Sequence, residues 1–385
     1  MSTITAEPLA ATMEEPLERL VAFEPVALPV VSVYLNTQAD QHGRDPEIMP
    51  YLEREFKALA RTWGASSPER KSFDEDVEKI KKYVAEEIDP AANGVAIFAC
   101  AGADGFFEAL QFGAPVSDNR IYVYHQPHLY HLTKIDEQYP RYAAVVTDAN
   151  SARIFVFGLG QTIDVEEVKG KKVHRVKVGG WSQARYQRRV GNAHSAHVKE
   201  VIERLEEIVK EEKITRVILA GDPVIVPLVE EEMPQELAKM VETMKLDVHA
   251  SEQDVLTATL EKLQQEESSA AAEKVTRLLD RARGRELAVV GSEDTLEALA
   301  NGQVDELLIS GAMEQHHPEE QEIEAILAPE IPDSSGGTES EEPRLASLPD
   351  LLITKAKQTG ATITFVEDPA LLESVEGVGA FLRWR

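Results

Sequence analysis

The chain has 385 residues, 43% of them hydrophobic and 28% charged, with a formal net charge of -28. Its length asks for two or three domains, and its composition is that of a folded chain rather than a disordered one. So acidic a surface excludes indiscriminate coating of nucleic acid, DNA included, because phosphate repulsion opposes approach wherever the acid is spread.

The opening residues carry neither the basic stretch nor the apolar core of an export signal, and the longest nearly apolar run, 26–35, is broken by Pro29. A cytoplasmic protein without a membrane partner is expected. Residues 30–34 read as a strand, 50–62 and 68–87 as amphipathic helices, and 94–99 as a returning strand that runs into the single cysteine, Cys100. One cysteine excludes an intrachain disulfide or a cysteine-rich zinc site. Strands at 106–112 and 121–124 and a helical segment ending near Gln138 close a first domain, 1–139.

Two strands at 142–148 and 152–157, joined through Ala149 to Ser151, open a central domain, 140–262. A cationic stretch follows: Lys169, Lys171, Lys172, Arg175, Lys177, Arg185, Arg188 and Arg189, with no acid between the first and the last. An acidic body therefore carries one basic projection, which reads either as a solvated loop or as a local RNA contact. Tyr186, Val190, Ala193, His197, Val201, Leu205 and Ile208 then form the stripe of a long helix with the three arginines at its start. Strands are expected at 215–220 and 245–249.

A long helix at 252–283 leads into a third domain, 263–385. It contains strands at 286–290, 304–310 and 362–366, a helix at 293–300 capped by Ser292, and a helix at 347–358. The stretch 314–342 has ten acids and neither Lys nor Arg, and reads as a mobile acidic insertion covering about 312–345. The fold class is α/β, three consecutive α/β domains, the central one with a protruding basic loop.

Lesser motifs carry little. His125, His128 and His131 recur at helical spacing without a convergent carboxylate set, and His194 and His197 read as helix-surface residues rather than zinc ligands, so no metal site is assigned. Gly158-Leu159-Gly160 lacks the third glycine of a dinucleotide loop, no Gly-Lys-Ser/Thr motif exists, and no cofactor is expected.

Gly179-Gly180-Trp181-Ser182-Gln183-Ala184-Arg185-Tyr186-Gln187-Arg188-Arg189 resembles the peptidyl-transferase loop of the archaeal-eukaryotic class-1 release factor and Pelota superfamily, in which Gly-Gly-Gln-Ser precedes an Arg-aromatic-x-Arg helix. Val217 to Gly221 is similar to that family's central strand. Gly291 to Leu299 is similar to the helix opening its third domain, and Gly377 to Arg385 to its closing strand. Val31 to Leu35 and Gly94 to Ala99 are similar to strands of its first domain. The bacterial branch with Gly-Gly-Trp-Ser-Gln fits best. Trp181 stands where the family's glutamine is usual, with Gln183 two residues on; the related Vms-type peptidyl-tRNA hydrolases also vary this loop and retain a nearby glutamine, which implies that Gln183 substitutes. No Asn-Ile-Lys-Ser or Tyr-x-Cys-x-x-x-Phe element is present, which argues against stop-codon reading, and the combination of an absent codon reader with an altered loop also resembles Balon-type hibernation factors.

The resemblance implies three domains arranged as in class-1 release factors and a place in the ribosomal A site, against ribosomal RNA and the P-site peptidyl-tRNA. A translational GTPase such as elongation factor Tu would deliver the protein. Gly179, Gly180 and Gln183 take the catalytic roles. Lys169, Lys171, Lys172, Arg175, Lys177, Trp181, Ser182, Arg185, Arg188 and Arg189 contact RNA. Paired glycines admit backbone where side chains clash. A glutamine amide is no base at neutral pH, so it would orient water while RNA moves the proton. Trp181 either stacks on a base, typically ~1–3 kcal/mol, or pins the loop to its own domain. Two outcomes stay open: codon-independent peptide release that rescues ribosomes, and a non-catalytic plug that protects idle ones.

Overall fold

The computed structural model describes residues 9–39, 47–169, 181–313 and 347–384, with 181–190 and 193 described by backbone alone. The chain is α/β, with three sheets in sequence order, each faced by helices. It divides into two compact units, Tyr139–Leu263 and the pair Met1–Gln138 with Gln264–Arg385. The acidic insertion expected at about 312–345 lies almost wholly outside the described residues.

In the first sheet β1 (Val30–Asn36) runs between β2 (Gly94–Cys100) and β4 (Arg120–Tyr124), with β3 (Phe106–Phe112) beyond β2, all antiparallel. β2 is buried at every position, as a nearly continuous apolar run in a central strand requires. Helix α1 (Glu14–Val21) is a short amphipathic helix that the sequence pattern did not announce. Helices α2 (Ile48–Leu59) and α3 (Pro68–Glu86) fall close to their expected positions. α3 begins at Ser67, whose hydroxyl accepts the Arg70 N–H at 3.1 Å, with Pro68 in the first helical position. Its inward stripe of Phe73, Val77 and Ile80 packs with Leu52 and Phe56 of α2 over β1 and β2.

The third sheet has the order β10 (Ala288–Val290), β13 (Val378–Leu382), β11 (Val304–Ser310), β12 (Thr362–Val366), with β11 and β12 parallel. Ala271, Val275 and Leu278 of α8 (Glu252–Arg283) cover it. A Cβ at Gly379 would lie 2.8 Å from Leu278 Cδ2 and 2.9 Å from the Val289 carbonyl oxygen, so the glycine there is what lets helix and neighbouring strand approach. Helix α9 (Ser292–Ala300) starts one residue earlier than expected, and Ser292 is not its cap. Gly291, at φ 90°, takes that position, and the Glu376 carboxylate accepts the Ser292 N–H at 2.9 Å from across the fold.

First and third sheets share one unit through a buried polar seam. α4 (Tyr130–Gln138) follows β4, and α10 (Leu348–Gln358) begins at Ser347, whose hydroxyl accepts the Asp350 N–H at 3.3 Å. The Asp350 carboxylate accepts the Leu129 and Tyr130 N–H groups at 2.9 and 3.0 Å, the Ser347 hydroxyl at 2.6 Å, and the His128 imidazole. It thereby caps α4 in trans, holds the Ser347 hydroxyl that caps its own helix, and places negative charge at two helix N-termini. The Tyr130 hydroxyl donates to the Ser310 carbonyl at 2.7 Å, and both Glu137 oxygens lie 2.9 Å from the Phe365 N–H on the free edge of β12. The periodic spacing of His125, His128 and His131 is thus misleading, since α4 starts after His128. His125 Nδ1 meets the Val26 carbonyl at 2.8 Å and His131 Nε2 the Tyr122 hydroxyl at 2.7 Å. Among the described residues no three-ligand metal cluster occurs.

The second unit holds the sheet β7 (Gln161–Lys169), β6 (Ser151–Gly158), β5 (Tyr142–Thr147), β8 (Val217–Gly221), β9 (Val241–Thr243). β7, β6 and β5 form an antiparallel meander, while β8 and β9 run parallel to β5. Such parallel neighbours need a crossover, and α5 (Trp181–Glu211) supplies it. α6 (Val226–Glu232) and α7 (Gln235–Ala238) pack beside α5, and Val255, Leu256 and Leu263 of α8 cover the other face. The strand expected at 245–249 is absent, and the ladder ends instead at Thr243. The Arg153 guanidinium takes the Val248 and Ala250 carbonyls at 2.9 and 2.8 Å, and Asp247 Oδ1 takes the His249 N–H at 2.8 Å, so that backbone is already satisfied as a turn.

Candidate functional site: the root of the basic loop

The cationic stretch leaves the central sheet from the end of β7 and returns as α5. β7 itself was not expected, because its alternation is masked by Asp164, Glu166 and Glu167. Lys169 is therefore not a loop residue but the last residue of a strand. Its ammonium meets the Glu167 carboxylate at 2.7 Å in an exposed pair, and that carboxylate holds the Lys169 pKa above its ordinary value. A phosphate would have to compete with Glu167 for it. Lys171, Lys172, Arg175, Lys177, Gly179 and Gly180 lie outside the described residues.

The helix starts sooner than the stripe beginning at Tyr186 implies. Trp181, Ser182 and Gln183 form its first turn, directly after Gly179-Gly180, and Arg185, Arg188 and Arg189 follow within the next two turns. The side chains of these residues are not described, but their backbone placement has a chemical consequence. The first N–H groups of a helix have no intrahelical partner and carry partial positive charge. No acid sits in this first turn, so the N-terminus of α5 and the nearby arginines act with one sign on an approaching anion.

Two features hold this helix. Val198, Val201, Ile202, Leu205 and Ile208 are buried against Val145, Ile154, Val156, Val217 and Leu219, each worth roughly 1.5–3 kcal/mol as an upper figure for full burial. On the flank, Arg204 grips Glu166 of β7 with two of its nitrogens and Glu207 with a third at 2.6 Å. Those carboxylates raise the guanidinium pKa above its ordinary value, and Arg204 in turn lowers that of Glu166. This clamp ties the strand entering the loop to the helix leaving it. Sequence reading missed it, because Glu166 and Arg204 lie 38 residues apart.

At the carboxyl ends of β5 and β8 the chain closes tightly. Gly221 has φ 128°, and a Cβ there would stand 2.0 Å from the Thr147 carbonyl oxygen, while the Asp222 N–H donates to that oxygen at 2.8 Å. Beside it the Asp148 carboxylate accepts the Asn150 and Ser151 N–H groups at 2.6 and 2.8 Å and the Ser151 hydroxyl at 3.2 Å. Burial works to raise the Asp148 pKa, but those donors and the nearby His197 outweigh it and hold the carboxyl below its ordinary value. His197 is not the helix-surface residue expected. Its side chain is 2% exposed, on the same inward face as Val198 and Val201, and neither ring nitrogen has a hydrogen-bond partner among the described residues.

Residues 127–264 match the family model "Bacterial archaeo-eukaryotic release factor family 10", and residues 265–385 match "eRF1 domain 3". No curated protein matches the chain. Among solved structures, the archaeal translation termination factor aRF1 aligns at 16% identity over 97% of each chain, with a TM-score of 0.27. Archaeoglobus fulgidus Pelota aligns at 12% identity over 76% of this chain and 80% of its own, with a TM-score of 0.35. Saccharomyces cerevisiae Dom34, described as a translation termination-like factor interacting with Hbs1, aligns at 12% identity over 76% of this chain and 79% of its own, with a TM-score of 0.40. Likenesses this distant add nothing to what the two family models carry. Residues 127–385 are thus matched end to end by two release-factor models, and the chain belongs to the bacterial archaeo-eukaryotic release factor-like proteins.

Proposed function

We propose that this protein is a ribosome-associated translation factor that occupies the A site and extends Gly179 to Arg189 toward the peptidyl-transferase centre. There it promotes codon-independent hydrolysis of peptidyl-tRNA. The observation that carries this reading is the placement of Gly179-Gly180 immediately ahead of a long helix whose first turn contains Gln183 and no acid. The family models, which span the central and third domains, support it.

In this reading the chain consists of three domains, 1–139, 140–262 and 263–385. The glycine pair lets backbone enter a crevice of RNA, and the helix N-terminus and the arginines offset phosphate charge. Gln183 orients the attacking water and offers N–H groups to the developing oxyanion, while proton transfer is left to the RNA. A GTPase of the elongation factor Tu class would deliver the protein.

A second reading is favoured by one observation, the replacement of the family's usual glutamine by Trp181. Here the loop anchors without catalysis, and the protein blocks the A site of idle ribosomes. One experiment separates the two: purified protein is mixed with ribosomes carrying peptidyl-tRNA and an empty A site, and peptide release is followed. Release by the wild type that Gln183→Ala abolishes establishes catalysis. Binding that excludes tRNA without release establishes the plug. Failure to bind at all rejects both.

A further inference from the structure

Far from the loop in sequence, the end of α8 gathers arginines that the packing of the third sheet does not require. Residues 277–286 hold Arg277, Arg281, Arg283 and Arg285 against two acids, Asp280 and Glu286, in a chain of formal net charge -28. All four arginines are exposed. Arg277 and Arg281 stand one turn apart, and each guanidinium carbon lies 5.5 Å from the ring centroid of Phe381 in β13. Laid over an aromatic face, a guanidinium is held in place while the N–H groups along its edge can still donate.

Helix capping accounts for only part of this cluster. Cations in a last turn complement the helix dipole, which covers Arg281 and Arg283. Arg277 comes too early for that, and Arg285 lies past the end. There the helix closes on its own backbone: the Glu286 N–H donates to the Arg281 carbonyl at 2.9 Å and the Arg285 N–H to the Ala282 carbonyl at 3.1 Å. Those are the two bonds of a Schellman cap, and Arg285 fills its left-handed position at φ 53°, where glycine is usual. The acids restrain the cluster weakly. Arg283 meets Asp280 at 3.4 Å and Arg281 meets Glu286 at 3.9 Å, both in exposed pairs, and Glu273, one turn before Arg277, is exposed too.

A large aromatic side chain stands at the same end of the sheet. Ala288 of β10 faces Phe381 of β13, and the Leu382 N–H extends that ladder to the Leu287 carbonyl at 3.1 Å. The strands run antiparallel, so Arg285, before β10, and Trp384, after β13, flank one end of the pair. Trp384 is 52% exposed and Leu287 40%. Arg383 is engaged elsewhere, with Asp305 at 3.4 Å and the Thr359 and Gly360 carbonyls at 3.3 and 2.8 Å. Guanidiniums beside an open indole are the pairing that a single strand of nucleic acid needs, cations for its phosphates and a flat face for an unstacked base. The exposed apolar part, Leu287 and Trp384, is too small for the centre of a stable protein interface.

We propose that Arg277, Arg281, Arg283, Arg285 and Trp384 form a second RNA-binding surface, on the third sheet and its helix, which takes an unpaired stretch of RNA with phosphates on the guanidiniums and a base on the indole. RNA rather than DNA follows from the reading of the chain as a translation factor, whereas the surface itself uses nothing from residues 179–189. The left-handed arginine gives up the backbone ease of a glycine and keeps a charge at the rim of the cluster.

The test titrates the full-length protein with fluorescein-labelled oligoadenylate, alone or annealed to its complement, over a salt series, and reads binding from anisotropy. A Trp63→Phe, Trp181→Phe background leaves Trp384 as the reporter of stacking by unlabelled RNA. The single strand is expected to quench Trp384 and the duplex to leave it unchanged. Trp384→Ala weakens single-strand binding by roughly tenfold or more. Arg277→Gln and Arg285→Gly each flatten the log-log salt slope by about 0.7 for every phosphate no longer neutralised. Arg285→Gly does so with an unfolding temperature equal to or above that of the wild type, which separates loss of binding from loss of fold. Charge removal at Lys171, Lys172 and Arg175 leaves the quenching of Trp384 in place. Absence of quenching, or wild-type affinity in both Trp384→Ala and Arg285→Gly, overturns the inference. So does polyglutamate that binds as tightly as the single strand, which assigns the arginines to an acidic protein segment, and so does tighter binding of oligodeoxyadenylate. If the wild type does not bind ribosomes, the proposed function falls, while the titration with free RNA still decides this surface.

Discussion

His128 and Asp350, 222 residues apart in the chain, meet as a buried pair in which each side chain is 1% exposed. The carboxylate also serves the N-termini of α4 and α10, so two helices depend on one group. Removing it strands an imidazole and two backbone N–H groups in the interior. Asp350→Ala should destabilise the protein by about 3–5 kcal/mol, read from urea unfolding of the full chain. Ser347→Ala removes only one cap hydroxyl and should cost about 1 kcal/mol. Equal small losses for the two variants would show that the seam does not depend on Asp350.

One buried carboxyl, Asp76, and one half-buried carboxyl, Glu137, make stability depend on pH. Burial first, with Glu75 adding, raises the Asp76 pKa from 3.8 to about 7 against the Ala101 N–H and Lys79. Burial also raises the Glu137 pKa from 4.5 to about 8, with Glu267 and Glu367 adding to it and the Phe365 N–H and Lys274 opposing it. In both cases the folded state holds the proton more tightly than the unfolded one. Their stabilising contribution is therefore complete below pH 3.8 and 4.5 respectively, and is lost as pH rises to about 7 and about 8. Asp76→Asn and Glu137→Gln should gain on the wild type across those windows. A wild-type advantage that grows toward alkaline pH would refute the assignment.

At Gly221 the strained φ and the closeness of the Thr147 carbonyl leave no room for a methyl group. Gly221→Ala should cost roughly 3 kcal/mol or more, since neither the backbone nor the opposing strand can yield cheaply. Gly191→Ala, in open space on α5, should instead stabilise by about 0.5–1 kcal/mol through helix propensity. Thermal unfolding of the two variants should move in opposite directions.

If the basic stretch binds RNA, ribosome affinity falls steeply with salt, and charge reversal at Lys171, Lys172 and Arg175 flattens the log-log slope by about 0.7–0.9 for each phosphate that the protein no longer neutralises. Because Lys169 already faces Glu167, reversing it should change the slope least. Co-sedimentation across a salt series measures both, and identical slopes for all variants would remove the stretch from the interface.

Period and punctuation made most of the elements legible. α3, α8, β11 and β12 fall on or within a residue of their expected ends, because strong stripes, a Ser-Pro start and Gly-marked turns act locally. What failed depends on partners distant in sequence. The turn at 245–249 exists because Arg153 takes its carbonyls, α9 is capped by Glu376, and His197 is buried because it lies on the face of α5 that packs, through Val198 and Val201, on the central sheet. β7 escaped notice because, as an outer strand, it has acids where an inner strand has apolar residues. The loop motif could be read from its residues, while its root, the Arg204–Glu166 clamp and the Asp148–His197 neighbourhood, needed three dimensions.

That outer strand has a further bearing on how the protein behaves in a crowd. Among the described residues β7 ends the central sheet, and the outer edge of such a strand would invite one from another molecule. Asp164, Glu166, Glu167 and Lys169 line it with charge, so an incoming chain would have to desolvate carboxylates to extend the sheet. The acids that hide β7 from pattern reading thus also guard against self-association, and the loop domain can work at high concentration without polymerising through its rim.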